Sequence, residues 1–374
     1  MGKKKNIILV AGGTGGHLFP ALSLGESLQE CGYKVHFITD FRARKYLMDF
    51  PKDRVHVLDS STLKGKDPLS IGRMLWHNFR GALQSERLFR KLKPVLVAGF
   101  GGYPTLSPLF VAHWKKIPSF IHEQNAVMGR ANKWLAKYVD VIAGGFLQEV
   151  PEAFREKLIL VGNPVRKNVI EAAKIPYQIE DLSGKFHIVI FGGSQGAHFF
   201  SQIVPEALSL LPKALRRQIK ITQQSRGDTE KLIKLYKELS IDAQIAPFFE
   251  DLPLKMAHAQ YIIARAGAST VSELSIIGRP ALLIPYPHAL DHDQAENAAH
   301  LAKLGTVRVE KETELTANSV ADLIKEIMQN REDLVKQAHS VKKASKPDAL
   351  RLLTMLSQML VAGETIEKIK EKSA

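Results

Sequence analysis

The hydrophobic positions of the first half of the chain alternate between two periods. Short apolar runs rich in β-branched residues predict strands, and the stretches between them have the spacing of amphipathic helices, as in Pro20–Glu30 and Ser70–Leu92. The predicted strands are Asn6–Val10, Lys34–Thr39, Arg54–Leu58, Pro94–Ala98, Ser119–His122 and Val139–Ala143. Strands that are apolar throughout and separated by helices are typical of a parallel sheet covered on both faces.

The same pattern begins again at Phe186–Phe191, an apolar run that leads into a second glycine loop and a helix. Further strands are predicted at Lys220–Thr222, Ala243–Ala246, Tyr261–Ala264, Ala281–Ile284 and Val307–Val309. The sequence therefore predicts an α/β protein with two Rossmann-like halves, which join near Val161–Arg166, where glycine and proline interrupt the pattern. A last predicted helix, Asp348–Leu360, is compatible with packing on either half.

Length, cysteine content and charge narrow the class of protein. The 374 residues suffice for two domains, and the single cysteine, Cys31, excludes a disulfide framework and favours a reducing compartment. The apolar run near the N-terminus is too short for a signal peptide, and no later run reaches the roughly 18 residues of a membrane span. The net charge of +14 suits a phosphorylated substrate, a nucleic acid or an anionic membrane, although no nucleic-acid motif is present. A merely solvated basic surface is the alternative.

Glycine loops follow three of the predicted strands. The stretch Val10–Pro20 reads VAGGTGGHLFP, Phe100–Pro104 reads FGGYP, and Gly192–Gly196 reads GGSQG. A bare backbone between strand and helix lets amide groups approach a phosphate, and the helix N-terminus favours negative charge. The alternative is a tight turn without a ligand. His17, directly behind the first loop, is equally compatible with a catalytic role and with a helix cap.

Three further polar motifs lie at predicted strand ends. The run His122–Asn125 (HEQN) is costly to bury without partners, which favours a site over a core, with an exposed loop as the alternative. Thr270–Glu273 fits a helix capping box, or Glu273 binds a ribose diol. Asp291 and Asp293 resemble a metal-binding pattern, but no further ligand cluster accompanies them, so we predict no metal site.

The predicted helix that starts near residue 70 combines apolar and basic side chains. Ile71, Leu75 and Phe79 form a helical stripe, and Trp76 lies off that stripe. Basic residues flank it closely, and Trp114 with two following lysines lies in the same half. The stripe is either a core face or a patch for anionic lipid.

The order of these motifs is specific even though each motif is weak alone. In sequence they are GGTGGHLFPAL, GFGGYPTLSP, HEQNAVMGRANKWLA, VGNPVR, GGSQGA and RAGASTVSELSIIGRPALLIPYP. Together they closely resemble the MurG family of bacterial cell-wall N-acetylglucosaminyltransferases. The resemblance implies a GT-B fold, in which two Rossmann-like domains with parallel sheets face one another across a cleft. It implies an acceptor- and membrane-binding domain at 1–163 with the C-terminal helix 347–374, and a UDP-GlcNAc-binding domain at 164–346.

The resemblance also implies a reaction and a location. Family members transfer N-acetylglucosamine from UDP-GlcNAc, with inversion, to the C4 hydroxyl of lipid I, undecaprenyl-pyrophosphoryl-MurNAc-pentapeptide. The product is lipid II, which is used in peptidoglycan synthesis. No cofactor and no active-site metal are implied. The implied location is peripheral, on the cytoplasmic face of the bacterial inner membrane, with an anionic lipid surface and cell-wall synthesis proteins as partners and no nucleic acid.

Site residues follow from the resemblance, motif by motif. Glu273 resembles the ribose ligand, and Phe249 stands at the uracil position, where the family often has a smaller aliphatic residue. Asn125 and Gln294 resemble the residues that hold the sugar hydroxyls. The residues implied at the phosphates are Thr14, Gly15, Gly16, Arg166, Ser194, Ala268, Ser269 and Thr270. The implied membrane patch consists of Ile71, Leu75, Trp76, Phe79 and Trp114.

The acceptor hydroxyl must lose a proton, and a well-placed base accelerates such a step by about 10²–10⁴-fold. We predict His17 as this base, because its loop points into the implied cleft and imidazole titrates near neutrality. His122, backed by Glu123, is the alternative.

Two other classes of protein share parts of the pattern. A UDP-GlcNAc epimerase has the same fold without a lipid acceptor, and a non-catalytic nucleotide-sugar or membrane-binding protein does not need HEQN.

Overall fold

The structure is a computed structural model that describes residues 4–13, 15–41, 47, 50–61, 67–147, 149–179, 184–192, 197–227, 229–289, 292–303, 305 and 307–373. Its contacts divide the chain into two units, Met1–Arg166 with Pro347–Ala374, and Lys167–Lys346. The predicted boundaries lie after residues 163 and 346.

The first unit is built on a seven-stranded parallel sheet. Its elements up to residue 166 are β1 Asn6–Val10, α1 Gly15–Glu30, β2 Lys34–Thr39, β3 Val55–Val57, α2 Pro68–Leu92, β4 Leu96–Gly99, α3 Leu106–Trp114, β5 Ser119–Glu123, α4 Arg130–Leu135, β6 Val141–Gly144 and β7 Leu158–Leu160. The strand order is β3-β2-β1-β4-β5-β6-β7, and every pairing is parallel. β1 lies between β2 and β4, so the chain continues from β1 toward one edge of the sheet and later from β4 toward the other edge. In open α/β sheets, ligands bind at the carboxyl ends of the strands where the strand order reverses in this way.

The second unit repeats this architecture with six strands. Its elements are α5 Lys167–Ala172, β8 Phe186–Phe191, α6 Ala197–Ser209, α7 Lys213–Arg216, β9 Ile219–Gln224, α8 Thr229–Glu238, β10 Asp242–Ala246, α9 Leu252–Ala257, β11 Tyr261–Ala264, α10 Ala268–Ile277, β12 Ala281–Leu283, α11 Asp293–Ala302, β13 Arg308–Val309, α12 Ala317–Gln329 and α13 Arg331–Lys343. The order β10-β9-β8-β11-β12-β13 is again parallel throughout. The two predicted Rossmann-like halves are confirmed.

The chain returns to the first unit through its last two helices, α14 Ala349–Ala362 and α15 Ile366–Ser373. The Thr354 hydroxyl of α14 lies 2.9 Å from the hydroxyl of Ser27 in α1. Leu353 is fully buried in the same hydrophobic cluster as Leu24 of α1, and Ile369 of α15 is fully buried there too. The final helix therefore completes the core of the first unit.

Alternating residues of β1 point to opposite faces of the first sheet and define its two helical layers. Ile7 and Leu9 pack in the cluster that holds α1 and α14. Ile8 and Val10 pack in a second cluster, to which the other helices contribute buried side chains: Phe89 of α2, Leu109 of α3 and Leu135 of α4. Helices α2, α3 and α4 therefore cover one and the same face of the sheet.

Candidate active site

Two loops pack closely at the carboxyl edge of the first sheet, one after β1 and one after β4. A Cβ atom on Gly12 would lie 2.3 Å from Cγ of Pro104, so the first loop approaches the second only as bare backbone. Gly101 has a φ of +98°, which favours glycine, and a Cβ atom there would lie 3.1 Å from Nε2 of His17. The glycines of both loops thus bring the backbone at Gly101 next to the imidazole of His17.

His17 lies in the first turn of α1 and is half-buried. Its Nδ1 is 3.0 Å from the carbonyl oxygen of Gly12. A carbonyl oxygen only accepts hydrogen bonds, so Nδ1 carries the proton and donates it. In the neutral ring Nε2 is then the basic nitrogen, and it lies beside Gly101. The arrangement fixes the tautomer that accepts a proton at Nε2.

His122, at the end of β5, is fully buried and has partners on both ring nitrogens. Its Nε2 lies 2.9 Å from the carbonyl oxygen of Gly162, so Nε2 donates, and the side-chain amide of Gln124 donates to Nδ1 at 3.0 Å. Burial, with a smaller contribution from the nearby His17, lowers the pKa of His122 to about 4, although the hydrogen bond to the carbonyl oxygen of Gly162 acts in the opposite direction. His122 is therefore neutral near pH 7, and its basic nitrogen is already engaged.

Glu123 is buried beside His122, but its carboxylate serves a different group. It accepts hydrogen bonds from the backbone N–H of Asn125 at 3.1 Å, from the N–H of Gly129 at 2.9 Å and from the side-chain amide of Asn132 at 2.8 Å. Successive strand residues point to opposite faces, which separates Glu123 from the His122 ring. The prediction that Glu123 backs His122 is wrong in this respect: Glu123 holds the loop that carries Asn125.

Positive charge and a helix N-terminus adjoin the same edge. Helix α1 begins at Gly15, so the first N–H groups, including those of Gly15 and Gly16, lack intrahelical acceptors. The Arg166 guanidinium lies 4.9 Å from the ring centroid of Phe19 in this helix. These groups are suited to an anion. Thr14 lies outside the described residues.

In the second unit, a helix N-terminus follows directly on a central strand. Helix α10 begins at Ala268, so Ala268, Ser269 and Thr270 form its first turn, and Gly267 is the N-cap without a side-chain hydrogen bond. The capping-box alternative for Thr270–Glu273 is therefore wrong, because Thr270 lies inside the helix. Glu273 is buried one turn further on, four residues after Ser269 and on the same helix face.

Arg265, at the end of β11, connects several loops of this edge and was not singled out by the sequence analysis. Its guanidinium donates to the carbonyl oxygens of Ile284 and Pro285, each at 3.3 Å, and forms an ion pair with Glu312. It also lies over three aromatic rings, 5.1–5.4 Å from their centroids. These rings belong to Phe199 and Phe200 of α6 and to Tyr286 of the loop after β12. Only its position in the RAGAS motif could have indicated this role.

Two more of the predicted donor ligands, Gln294 and Phe249, belong to the second unit. The side-chain oxygen of Gln294 accepts the backbone N–H of Tyr286 at 3.0 Å, and Phe249 is buried beneath the ammonium of Lys255, 5.2 Å from its ring centroid. Ser194 and Asp291 lie outside the described residues. Within the part of the chain that the structure describes, no group of three metal-ligating side chains occurs.

Comparison with known proteins identifies the family. Residues 7–143 match the glycosyltransferase family 28 N-terminal domain, and residues 187–353 match the C-terminal domain of the same family. The UDP-N-acetylglucosamine–N-acetylmuramyl-(pentapeptide) pyrophosphoryl-undecaprenol N-acetylglucosamine transferase of Brucella suis biovar 1 is 50% identical over 366 residues, 98% of this chain and 97% of that protein. The chain belongs to the MurG family of glycosyltransferases.

Solved structures agree with this assignment. MurG of Acinetobacter baumannii superimposes with a TM-score of 0.77 at 27% identity, covering 95% of this chain and 99% of that one. A UDP-N-acetylglucosamine 2-epimerase reaches a TM-score of 0.66 at 11% identity, covering 96% and 97%, which shows a shared fold alone. The predicted membership of the MurG family and the predicted GT-B fold class are confirmed.

Helix α2 of this MurG-family chain is embedded in the protein only through its second half. The helix begins after Asp67, whose carboxylate accepts the N–H of Ser70 at 2.9 Å, and its buried residues are Gly81, Ser85 and Phe89. None of residues 68–80 is buried. The exposed fractions are 39% for Ile71, 60% for Leu75, 59% for Trp76 and 55% for Phe79. The core alternative for this stripe is therefore wrong.

Trp114, the last residue of α3, is 73% exposed. Across the described residues, no helix is both long enough and apolar enough to cross a bilayer.

Proposed function

We infer that this protein transfers N-acetylglucosamine from UDP-GlcNAc to the C4 hydroxyl of lipid I with inversion and so forms lipid II. The observation that carries this proposal is the 50% identity, over nearly the full length, with a relative named for that reaction. The two sheet edges support it chemically. One offers a base with a defined tautomer, and the other offers helix amides that suit a nucleoside diphosphate.

His17 acts as the general base in this proposal. The acceptor C4 hydroxyl gives its proton to Nε2 of His17 while its oxygen attacks the anomeric carbon of the sugar. The bond from that carbon to the diphosphate oxygen breaks, and UDP leaves with the electron pair. Attack from the face opposite UDP inverts the anomeric centre. His122, buried with both nitrogens engaged, is the weaker candidate.

The donor is held mainly by the second unit in this proposal. Glu273 accepts hydrogen bonds from the ribose, Phe249 lines the uracil, and Asn125 and Gln294 bind the sugar hydroxyls. The charge that develops on UDP is stabilised by helix N-termini and by an arginine rather than by a metal. The phosphate ligands proposed are Gly15, Gly16, Arg166, Ala268, Ser269 and Thr270, with Thr14 and Ser194.

Transfer is tested with labelled UDP-GlcNAc and a lipid I analogue. Label in the lipid product, dependent on the added acceptor, is the expected result. Formation of UDP with free sugar, or of an epimer of UDP-GlcNAc without acceptor, contradicts the proposal and favours the epimerase alternative.

The protein acts peripherally at the cytoplasmic face of the inner membrane in this proposal, with the exposed half of α2 and Trp114 against anionic lipid. Replacing Trp76→Ala together with Phe79→Ser is expected to weaken sedimentation with anionic vesicles, because two of the exposed apolar side chains are lost. The matched control is Ile233→Ser with Leu254→Ser, two apolar residues of the second unit that are 44% and 46% exposed. Unchanged sedimentation of the Trp76/Phe79 variant contradicts docking through α2.

A further inference from the structure

Arg279, just beyond the end of α10, is a buried arginine that has no carboxylate partner among the described residues. It is only 1% exposed, and its guanidinium contacts backbone carbonyl oxygens and one aromatic ring. Burial lowers the pKa of Arg279 to about 10, so the group remains charged near pH 7. A buried charge is costly unless its N–H groups are hydrogen-bonded, so the acceptors of Arg279 show what it holds together.

Part of the guanidinium binds the last carbonyl oxygens of two helices. Nη1 donates to the carbonyl oxygens of Ile277 at 2.8 Å and Gly278 at 3.1 Å, where α10 ends. Nε donates at 3.0 Å to the carbonyl oxygen of Ala257, the last residue of α9, and Nη2 donates to the same oxygen. Carbonyl groups at a helix C-terminus lack intrahelical donors and carry partial negative charge. Arg279 satisfies these carbonyl groups and ties the ends of α9 and α10 together.

The rest of the guanidinium binds the segment that follows α5. Nη2 donates to the carbonyl oxygens of Ile175 at 3.0 Å and Pro176 at 3.4 Å, shortly after α5 ends. The guanidinium also lies 5.6 Å from the ring centroid of Tyr177, whose hydroxyl donates to the carbonyl oxygen of Gln260 at 3.0 Å. An arginine carries five N–H donors in a planar fork and can serve several segments at once, whereas a lysine has three donors on one nitrogen. Arg279 thus joins the C-terminal ends of α5, α9 and α10.

The other ends of these three helices begin at or near residues of the proposed donor site. The first turn of α10 is Ala268–Thr270, proposed for the phosphates, and Glu273 of the same helix is proposed for the ribose. Phe249, proposed for the uracil, lies three residues before α9, and α5 begins directly after Arg166. Helix α10 has ten residues and is therefore about 15 Å long. Arg279 can act on the donor site only through the helices, and not by touching the donor.

We propose that Arg279 is a positioning residue for the nucleotide-sugar donor, because it fixes the C-terminal ends of three helices whose first residues adjoin the donor ligands. This inference rests on the proposed donor site and adds to it a residue that does not contact UDP-GlcNAc. Without the guanidinium, the ends of α9 and α10 lose their common partner, and small displacements of the first turns misalign the groups that bind the donor. The expected consequence is a weaker affinity for the donor with an unchanged affinity for the acceptor.

The test uses two variants of the full chain, Arg279→Lys and Arg279→Met. Calorimetry measures the Kd of UDP-GlcNAc, and steady-state transfer to a lipid I analogue gives KM for both substrates. We expect Arg279→Lys to raise Kd and KM for UDP-GlcNAc by about tenfold, because three N–H donors replace five and leave carbonyl oxygens without partners. Arg279→Met, which supplies no donor, should have a larger effect. KM for the lipid acceptor and kcat at saturating donor should stay at the wild-type values.

The matched control is Ile219→Ala, which weakens the core of the second unit at another place. Ile219 is fully buried at the start of β9 and packs in a hydrophobic cluster with side chains of α6, α8 and α12. Its truncation leaves a cavity and lowers stability, but the contacts of Arg279 stay in place. Urea titrations followed by circular dichroism measure the stability of all variants. An equal rise in KM for UDP-GlcNAc in Ile219→Ala and Arg279→Lys, at equal loss of stability, would show a purely structural role and overturn the inference.

The outcomes separate this inference from the proposed reaction. If the wild type transfers label to the lipid and both Arg279 variants bind UDP-GlcNAc as tightly as it does, only the inference on Arg279 is wrong. If the wild type binds UDP-GlcNAc but transfers no sugar to the lipid, the proposed reaction is wrong, and the Kd values of the variants still test Arg279. If the wild type does not bind UDP-GlcNAc, both are wrong. Arg279→Lys, which keeps the charge, decides the question if Arg279→Met does not fold.

Discussion

The carboxyl edges of the two sheets have the same architecture but different chemistry. Each has a glycine-containing loop and a helix after a central strand, and each sheet reverses its connections at its first strand. At the first edge, the rings of His17 and His122 each donate a hydrogen bond to a backbone carbonyl oxygen. The second edge contains a helix N-terminus and Arg265, bound between carbonyl oxygens, a carboxylate and aromatic rings. Both edges have a helix N-terminus that suits an anion, but only the first has a histidine with a defined basic nitrogen, so the proposed mechanism places proton transfer at the first edge alone.

The largest expected effect comes from removing the base of the first edge. His17→Ala is expected to slow single-turnover transfer by about 10²–10⁴-fold, because no other group with a free basic nitrogen is assigned to the acceptor. Binding of UDP-GlcNAc, measured by calorimetry, should change little. His339→Ala, an exposed histidine on α13, is the control. A His17→Ala enzyme with the wild-type rate would remove the proton-transfer role from the first edge.

A smaller effect on catalysis is expected from breaking the ion pair between Arg265 and Glu312 at the second edge. Glu312→Gln removes the ion pair of Arg265 and leaves a buried guanidinium without its carboxylate. Losing such a charged hydrogen bond costs about 1.5–3 kcal/mol. If the whole cost falls on donor binding, KM for UDP-GlcNAc rises by about 10- to 150-fold. KM for the lipid acceptor should stay constant if the two edges act separately.

The control for this prediction is Glu326→Gln, which breaks an exposed ion pair with Arg308. Surface pairs contribute about 0–1 kcal/mol, so its kinetics should equal those of the wild type. Parallel changes in both KM values for Glu312→Gln would show that Arg265 supports the fold in general rather than the donor site.

The smallest effect concerns the stability of the first unit at acid pH. The pKa of His122 is about 4 in the folded protein, below the ordinary value of 6.5, so the unfolded chain takes up a proton first as pH falls. Above pH 6.5 the neutral His122 leaves the free energy of unfolding unchanged, and this free energy falls as the pH is lowered from 6.5 toward 4. One pH unit below 6.5, the free energy of unfolding is about 1.4 kcal/mol lower. Urea titrations of wild type and His122→Gln, followed by tryptophan fluorescence, measure it, because all tryptophans lie in the first unit.

Both proteins share every other titrating group, so the difference between their pH dependences isolates His122. A wild type that loses no more stability on acidification than the variant would place a charged, solvated imidazole at this position. That result would reopen the assignment of the base to His17.

The central strands were the most predictable, because strands such as β6, β11 and β12 are apolar along their whole length, as strands buried on both faces require. Strand β7, Leu158–Leu160, was missed. Three residues are too few to show an alternation of apolar and polar positions, and the glycine and proline of VGNPVR follow soon after them. The capping box failed for a different reason. The turn before Thr270 already belongs to the helix, and α10 starts at Ala268 with glycine as its cap. Short local motifs do not fix a helix start to within two residues.

Side-chain partners of the site were less predictable than the site itself. The motif HEQN indicated a polar site, but adjacency in sequence suggested a His122–Glu123 pair that strand geometry forbids. Two of the partners that Glu123 does have, Gly129 and Asn132, come from the next helix and the loop before it. Likewise, an apolar stripe on α2 was compatible with a core, and only the packing of its second half decided that the first half is exposed.

The return of α14 and α15 to the first unit has a consequence for the order of folding during synthesis. The second unit is one uninterrupted segment, Lys167–Lys346, whereas the first is assembled from both ends of the chain. Domains fold as units while the ribosome extends the chain, at about 5–20 residues per second. The second unit can therefore fold before the first has its complete core, because Leu353, Leu356 and Ile369 follow it in the chain. The face of the first sheet that packs against α1 is thus completed only after the whole second unit has been made.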